Sequence, residues 1–366
     1  MIQGLFLDPR IWKIDYIASS YWEPNKYGLN VDLYPDAFNI PKIGIDAKYK
    51  FVICSEIWEK PMQNALQYLR DRGLKIFFAA REPIKHGDLI DAMFSYEHFN
   101  MNGRYYFAPD VVLAAGKKYA DLWKDKIKTV ITGYPRWDWY LDSSKHMGRD
   151  KFFTKYGLER NRKIIFFISY PPYHYKKIDG KDNFVDLFEE HDKTLSILEQ
   201  FAIKYEPMYQ IISKIHPAAM KCYLKGTDKR KEVAGLLKKY YNSPTKYCKV
   251  IGDVRDNGTI SKDLLMHSDM VIGYNSTMLL EAMLLNKPLV NVILGKCQNI
   301  STPYDELSET IYTEEQLKMS LDKFKSGLYD NHKTDIDSMK LVEDYIYKVD
   351  GKCCERMCAV IKEELK

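Results

Sequence analysis

The segment from Ser268 to Val292, SDMVIGYNSTMLLEAMLLNKPLVNV, constrains the fold more than any other stretch of the chain. Its short apolar run MVIG (Met270 to Gly273), bounded by turn residues, suits a parallel strand buried on both faces. A polar turn of Tyr274, Asn275 and Ser276 follows. Ser276 or Asn275 is then expected to cap a helix whose Met278, Leu279, Ala282, Met283 and Leu285 face a sheet. Pro288 is expected to end that helix, because the residue before a proline disfavours the αR region, and PLVNV reads as the next strand. Polar residues thus collect at the carboxyl end of a parallel strand, on a helix start, where open α/β sheets bind ligands and free N–H groups attract phosphate. A strand, cap and helix without any ligand is the plain alternative.

The same alternation runs through the chain. Phe51 to Ser55, a helix over Pro61 to Asp71, Lys75 to Ala80, Val111 to Gly116, a helix through Trp123, and Lys128 to Gly133 make a first set. Lys163 to Tyr170, a helix from about Asn183 to Tyr205, Met208 to Ile215, a helix near Lys231 to Tyr241, Lys249 to Asp253 and a helix through Met266 make a second. Strands alternating with helices predict an α/β fold with parallel sheets covered on both faces. With 366 residues the chain is long enough for two cores. The polar stretch between Tyr140 and Arg162 is the expected boundary, giving domains at 1–145 and 146–340 and a terminal segment at 341–366. Helices are expected near Thr313 to Lys325 and Asp335 to Tyr347.

Composition narrows the function. Hydrophobic residues make up 46%, which excludes a disordered chain, and no apolar run approaches the length that spans a bilayer. The start, MIQGLFLDPR, lacks a basic stretch followed by a long apolar core, so no secretory signal is expected and a cytoplasmic setting follows. A net charge of +5 suits anionic substrates or a membrane surface and falls short of a nucleic-acid binder. The 28 tyrosines and 6 tryptophans suit sugar faces as well as core. Cys54, Cys222, Cys248 and Cys297 lie in or near apolar strands, as reduced buried thiols do. Cys353, Cys354 and Cys358 lack metal-site spacing; Cys354 and Cys358, one turn apart, leave a metal or redox role open beside simple packing.

Two further strand ends carry polar residues. Lys128 to Asp138, KTVITGYPRWD, ends in Gly133, Tyr134, Pro135, Arg136 and Asp138; Met208 to Pro217, MYQIISKIHP, ends in Lys214, His216 and Pro217. Taken in order with YNSTMLLE and Pro288, these motifs resemble the nucleotide-donor half of GT-B transferases. Within that group they are most similar to the CDP-glycerol glycerophosphotransferases of teichoic-acid synthesis. They also resemble the bacterial sialyl- and Kdo-transferases that use CMP-sugars. The resemblance covers residues 128 to 292 and implies two Rossmann-like domains facing a cleft, the first on the acceptor side, the second binding the donor. The final segment, to Lys366, would cross back to the first domain.

The resemblance also implies roles. Ser276 and Thr277 match phosphate-binding hydroxyls, or simply cap a helix. His216, beside Pro217, matches a histidine that contacts the phosphate and acts as an acid toward it; a structural histidine at a strand end is the alternative. Glu281 matches an acidic residue that binds ribose hydroxyls, against a solvated helix carboxylate. Asn275 and Lys214 complete the donor set. Arg136 lies in a motif that usually reads GYPRND, with Trp137 as the one departure; it either binds phosphate as a forked donor or pairs with Asp138 to brace the linker. The family's WHG-type motif has as its counterpart KIFFAAREPIKHGD, where tryptophan is missing. His86, Glu82 and Asp88 are the candidate bases by residue type, and CMP-sugar transferases favour a carboxylate. His174 is either at the cleft floor or on a loop surface.

The implied reaction is an inverting, in-line transfer of a glycosyl or polyol-phosphate group from a CMP- or CDP-linked donor. Its acceptor would be a glycan or lipid-linked surface polymer, with peripheral contact at the inner membrane face. No metal and no cofactor are expected, because the one DxD spacing, Asp335 and Asp337, falls in a late helical stretch. Two other readings stay open. A UDP-GlcNAc 2-epimerase type shares the fold, and Asn286, Lys287 and Pro288 echo its motif. A glycan-binding protein with a degenerate transferase fold would explain the missing WHG.

Overall fold

A computed structural model describes residues 1–7, 22–34, 39–43, 45–55, 57, 60–79, 107–170, 173–178, 181–215, 247–251, 259–295, 308–329 and 343–366. The chain divides into two compact units, Met1–His146 with Met339–Lys366, and Met147–Ser338. Each is built on a six-stranded parallel sheet.

In the first unit the strands are β1 (Ile2–Leu7), β2 (Leu29–Tyr34), β3 (Phe51–Cys54), β4 (Lys75–Phe78), β5 (Val111–Ala114) and β6 (Thr129–Ile131), in the order β2-β1-β3-β4-β5-β6. Helices α1 (Ile40–Ile43), α2 (Lys60–Arg70), α3 (Lys117–Asp121) and α4 (Pro135–Asp138) connect them. The inner strands β3 and β5 are buried at every residue, as runs of Val, Ile, Phe and Leu covered on both faces must be. Their core gathers Leu5, Val52, Ile76, Val112 and the fully buried Trp123 with Met62, Ala65, Leu66 and Leu69 of α2.

In the second unit the strands are β7 (Lys163–Ile168), β10 (Tyr209–Lys214), β11 (Cys248–Ile251), β12 (Met270–Gly273), β13 (Leu289–Val292) and β14 (Glu309–Ile311). Their order is β11-β10-β7-β12-β13-β14, so the sheet reverses direction of growth at β7. Between β7 and the next sheet strand lies an antiparallel hairpin, β8 (Tyr173–Ile178) with β9 (Lys181–Asp186). The helices are α5 (Arg149–Tyr156), α6 (Phe188–Lys204), α7 (Thr259–His267), α8 (Met278–Leu284) and α9 (Glu314–Lys325). Thr313 starts α9 with a full capping box, its hydroxyl accepting from Gln316 N–H while the Gln316 side chain returns the contact.

Several expectations are corrected. The helix read from about Asn183 begins at Phe188, because residues 181–186 pair as β9. Strands β1 and β2 were not foreseen; β2 is an edge strand whose polar Asn30 and Asp32 interrupt its apolar Leu29, Val31 and Leu33. Pro288 does not end α8. The stop comes earlier, in a Schellman closure with Asn286 at φ 52°, Lys287 N–H bonding Ala282 C=O and Asn286 N–H bonding Met283 C=O. Lys287 then donates from Nζ to the carbonyls of Met266 and Ser268, 3.1 and 2.8 Å away, and so closes the end of α7. Burial holds its ammonium below the usual lysine range. Asn286 and Lys287 therefore have local structural work of their own.

Helix α10 (Cys353–Glu364) packs in the first unit. Cys353, Cys354 and Cys358 lie on its buried face, and burial raises the Cys353 thiol well above its ordinary range. Cys54 and Cys248 are buried too. No cluster of three metal-ligating side chains occurs among the described residues, and no helix among them is long and apolar enough to cross a membrane.

Candidate functional site

The carboxyl ends of the second sheet line up in one row. Lys214 of β10 pairs with Ile168 of β7, Ile168 with Gly273 of β12, Gly273 with Asn291 of β13, and Asn291 with Thr310 of β14. With strands about 4.8 Å apart, Lys214 and Gly273 stand about 10 Å from each other across the strand where the sheet changes direction. That is the position at which open α/β sheets leave a crevice for ligand.

Gly273 sits in a tight approach. A Cβ on it would lie 3.2 Å from the Ile168 side chain and 3.5 Å from Leu279, so β12, β7 and α8 approach too closely for anything larger to fit without movement. The chain then turns. Tyr274 is buried against Tyr170, with ring centroids 4.7 Å apart. Tyr170, just past β7, anchors the stack by donating its hydroxyl to Val292 C=O at 2.9 Å. Asn275 adopts the left-handed region at φ 46° and donates its N–H to Asn291 Oδ1 at 2.9 Å.

The helix start is held by Ser276, as expected, and not by Thr277. Helix α8 begins only at Met278, Thr277 occupies the cap position with helical backbone, and its side chain makes no capping bond. Ser276 instead accepts the Met278 N–H on its hydroxyl at 3.3 Å. Ser276 and Thr277 remain partly exposed on the turn. Glu281, read as a solvated or ribose-binding carboxylate, is 1% exposed and belongs to the buried face of α8, so the solvated alternative is excluded.

A second helix start in this unit is chemically opposite. Helix α6 follows β7 through the hairpin and carries Glu189 and Glu190 in its first turn. Glu190 is buried and lies against Gly295, where a Cβ would meet its Oε1 at 2.5 Å. Carboxylates already complement the positive end of that helix, whereas the Asn275–Thr277 turn is neutral and hydroxyl-bearing.

The structure thus brings Lys214, Asn275, Ser276 and Thr277 to one sheet edge, with Glu281 on the helix behind. His216, Pro217, His86, Glu82 and Asp88 lie outside the described residues, as do Asp335 and Asp337. Sequence reasoning missed Tyr170 and Asn291. The signal for Asn291 was available: an amide inside the apolar run PLVNV, at a position the structure buries completely.

Arg136 lies in the first unit on α4 and is 3% exposed. Asp138 ties this segment to the terminal helix. The Asp138 carboxylate reaches the start of α10, accepting the Cys354 N–H at 3.2 Å, where Lys352 supplies no side-chain cap. Arg356 of α10 returns a bond from Nε to Thr132 C=O at 2.8 Å. Gly133, at φ 78°, passes so close to α10 that a Cβ would lie 2.6 Å from Cys353 Sγ. Burial raises the Asp138 carboxyl above its ordinary range, against these hydrogen bonds.

Comparison with known proteins follows the same lines. Solved structures resemble the whole chain. A Staphylococcus aureus MnaA–UDP complex matches with a TM-score of 0.57 at 14% identity, covering 100% of this chain and 97% of that one. A putative UDP-N-acetylglucosamine 2-epimerase from Listeria monocytogenes matches at 0.58 and 13%, covering 99% and 96%. The wall teichoic acid polymerase TagF, in a variant soaked with CDPG, matches at 0.55 and 13%, covering 100% and 88%. At these identities the likeness establishes the fold, which is GT-B. A search of curated protein sequences finds no match. The sequence profile of one family matches residues 119–362, two thirds of the chain, taking in Arg136, Lys214, the Asn275–Thr277 turn and helix α10. On that match the chain belongs to the CDP-glycerol:poly(glycerophosphate) glycerophosphotransferase family of transferases.

Proposed function

We propose that this chain transfers a polyol-phosphate or glycosyl group from a CDP- or CMP-linked donor to a teichoic-acid-like or other surface-polymer acceptor. The observation that carries the reading is the polar turn of Asn275, Ser276 and Thr277 at the sheet's change of direction, inside the region that matches the glycerophosphotransferase family. For a CDP-linked polyol, an acceptor hydroxyl attacks the distal phosphorus, its proton passes to a base, and CMP leaves. For a CMP-sugar the attack falls on the anomeric carbon and CMP again leaves. Both routes place growing negative charge on the nucleotide phosphate, which hydroxyls, backbone N–H groups and Lys214 are chemically suited to stabilise.

His216 would protonate or contact that phosphate, and Glu281 would serve the ribose side. The base would come from His86, Glu82 or Asp88, with His86 first for its HG pairing. The net charge of +5 favours an anionic polymer and the inner membrane face as the place of work. No metal is needed in this scheme.

The test is direct. Purified protein is given CDP-glycerol with a polyol-phosphate acceptor, and separately a CMP-sugar, and released CMP is measured with and without EDTA. Acceptor-dependent CMP release that survives EDTA supports the reading. Complete loss on chelation, restored by magnesium or manganese, removes the metal-free mechanism. Epimerisation of UDP-GlcNAc without CMP release from any cytidine donor would replace the reading with its epimerase alternative.

A further inference from the structure

The geometry points to the side-chain amides of Asn275 and Asn291 as a paired element that reads the nucleoside of the donor. Asn275 contacts the ligand and Asn291 positions it. This inference rests on the donor site proposed above and specifies which atoms read it.

Three observations converge on the pair. Asn291 is 0% exposed, in a strand otherwise made of Leu and Val. An amide is costly to bury unless its polar atoms are matched, so an apolar residue would serve this position better if packing were its only task. Its Oδ1 accepts the backbone N–H of Asn275 at 2.9 Å. Asn275 itself holds φ 46°, a region that non-glycine residues occupy at a cost and that collects at ligand sites. Its side-chain Oδ1 is shut off from solvent and has no hydrogen-bond partner among the described residues. A buried acceptor left unmatched is unfavourable in the empty protein and becomes favourable when a ligand brings a donor.

The location supplies the ligand. Asn275 follows Gly273 directly, at the carboxyl edge beside β7, next to the Tyr170–Tyr274 stack and one residue before Ser276. An acceptor cannot bind a phosphate oxygen, so Oδ1 faces a hydrogen-bond donor of the nucleoside. Two groups have that chemistry: a ribose hydroxyl and the exocyclic amine of cytosine. Asn291 fixes which way the turn presents Oδ1, because its bond to the Asn275 N–H locks the left-handed residue in place.

Calorimetric affinities of CMP, 2′-deoxy-CMP and UMP for wild type, Asn275→Gly and Asn291→Leu test the inference. Glycine keeps the positive φ and the N–H and deletes only the side-chain amide, so the fold is retained. Asn275→Gly is expected to weaken CMP about tenfold, and Asn291→Leu to weaken it by a similar factor. One analogue should bind wild type and Asn275→Gly equally: 2′-deoxy-CMP if Oδ1 reads that hydroxyl, UMP if it reads the amine. A packing role for Asn291 would lower the melting temperature without changing this discrimination. If Asn275→Gly binds all three nucleotides as wild type does, the inference is overturned, whatever becomes of Asn291→Leu. If wild type binds CMP normally in that result, the donor site stands and only the amide pair is lost. If wild type binds no nucleotide, the donor site itself falls and the inference with it.

Discussion

Two polar turns of this molecule, GYPRWD after β6 and YNST after β12, look alike in sequence and differ in what their polar groups do. Each follows a parallel strand through a glycine and a tyrosine, half-buried β6 at its sheet's edge and fully buried β12, and each opens a short helix. In the first, much of the hydrogen-bonding capacity is turned on the protein's own C-terminal helix: Asp138 meets the Cys354 N–H, Thr132 C=O meets Arg356, and Gly133 lies against Cys353. In the second, hydroxyls stay partly exposed and the Asn275 Oδ1 stays unmatched among the described residues. A strand-end motif is therefore not itself a ligand site. Unmatched atoms alone do not separate the two turns, because Trp137 Nε1 and Asp138 Oδ1 are also buried without a hydrogen-bond partner among the described residues; the difference is that GYPRWD bonds to α10 while the YNST hydroxyls stay partly exposed.

The largest expected effect falls outside both turns. His86→Gln should lower turnover about a hundredfold or more while nucleotide binding survives, measured by CMP release and calorimetry side by side. Glu82→Gln and Asp88→Asn are the controls. Near-normal turnover in all three places the base elsewhere.

The next effect tests the bracing half of the comparison. Asp138→Ala leaves the start of α10 without its partner and should cost about 2 kcal/mol of stability, read in a denaturant titration, with nucleotide affinity of the folded protein unchanged. Lost affinity with stability intact would make GYPRWD a ligand site after all. Ser276→Ala makes the opposite prediction: cytidine-nucleotide affinity falls about tenfold while the melting temperature holds. An unchanged affinity would reduce Ser276 to the helix-start contact it makes with Met278.

The smallest effect concerns the far end of α10. Lys128, then Lys75, hold the Glu364 carboxyl below the usual glutamate range. A depressed carboxyl stabilises the fold above its unfolded-state titration, and that contribution is lost as pH falls through the lower, folded-state value. Lys128 is open to solvent and Lys75 partly so, and screening keeps the contribution small. Glu364→Gln should therefore be slightly less stable than wild type at neutral pH, with the gap closing in acid. A gap that persists or widens in acid would assign the effect to packing.

Much of the fold was legible because the inner strands are continuous apolar runs that only a doubly covered parallel sheet accommodates. Phe51–Cys54, Val111–Ala114 and Met270–Gly273 are of this kind. The edge was not legible in the same way. Strand β2 mixes Asn30 and Asp32 with its apolar residues because one side lacks a neighbour, and it escapes a search for buried runs. The β8–β9 hairpin was hidden for a different reason: Asn183 to Asp186 adjoins a strong helical pattern and was absorbed into it. At the site, strand-end position singled out Lys214, Asn275, Ser276 and Thr277. Asn291 escaped because its role depends on a neighbouring strand 16 residues away in sequence, a relation that only register reveals. The local motif NKP was legible as a pattern, while its structural use emerged only from Asn286 in the left-handed region and Lys287 on the end of α7.

The central claim is that the second unit's sheet edge binds a cytidine nucleotide through the Asn275–Thr277 turn. Thermal shift of the full chain with CMP, CDP, UDP and GDP, repeated on Ser276→Ala/Thr277→Ala, tests it most directly, since a ligand that binds the native state raises the melting temperature. The account predicts a larger shift for CMP and CDP than for UDP or GDP, and loss of most of that shift in the double variant. A preference for UDP, or equal cytidine shifts in wild type and the double variant, would contradict it.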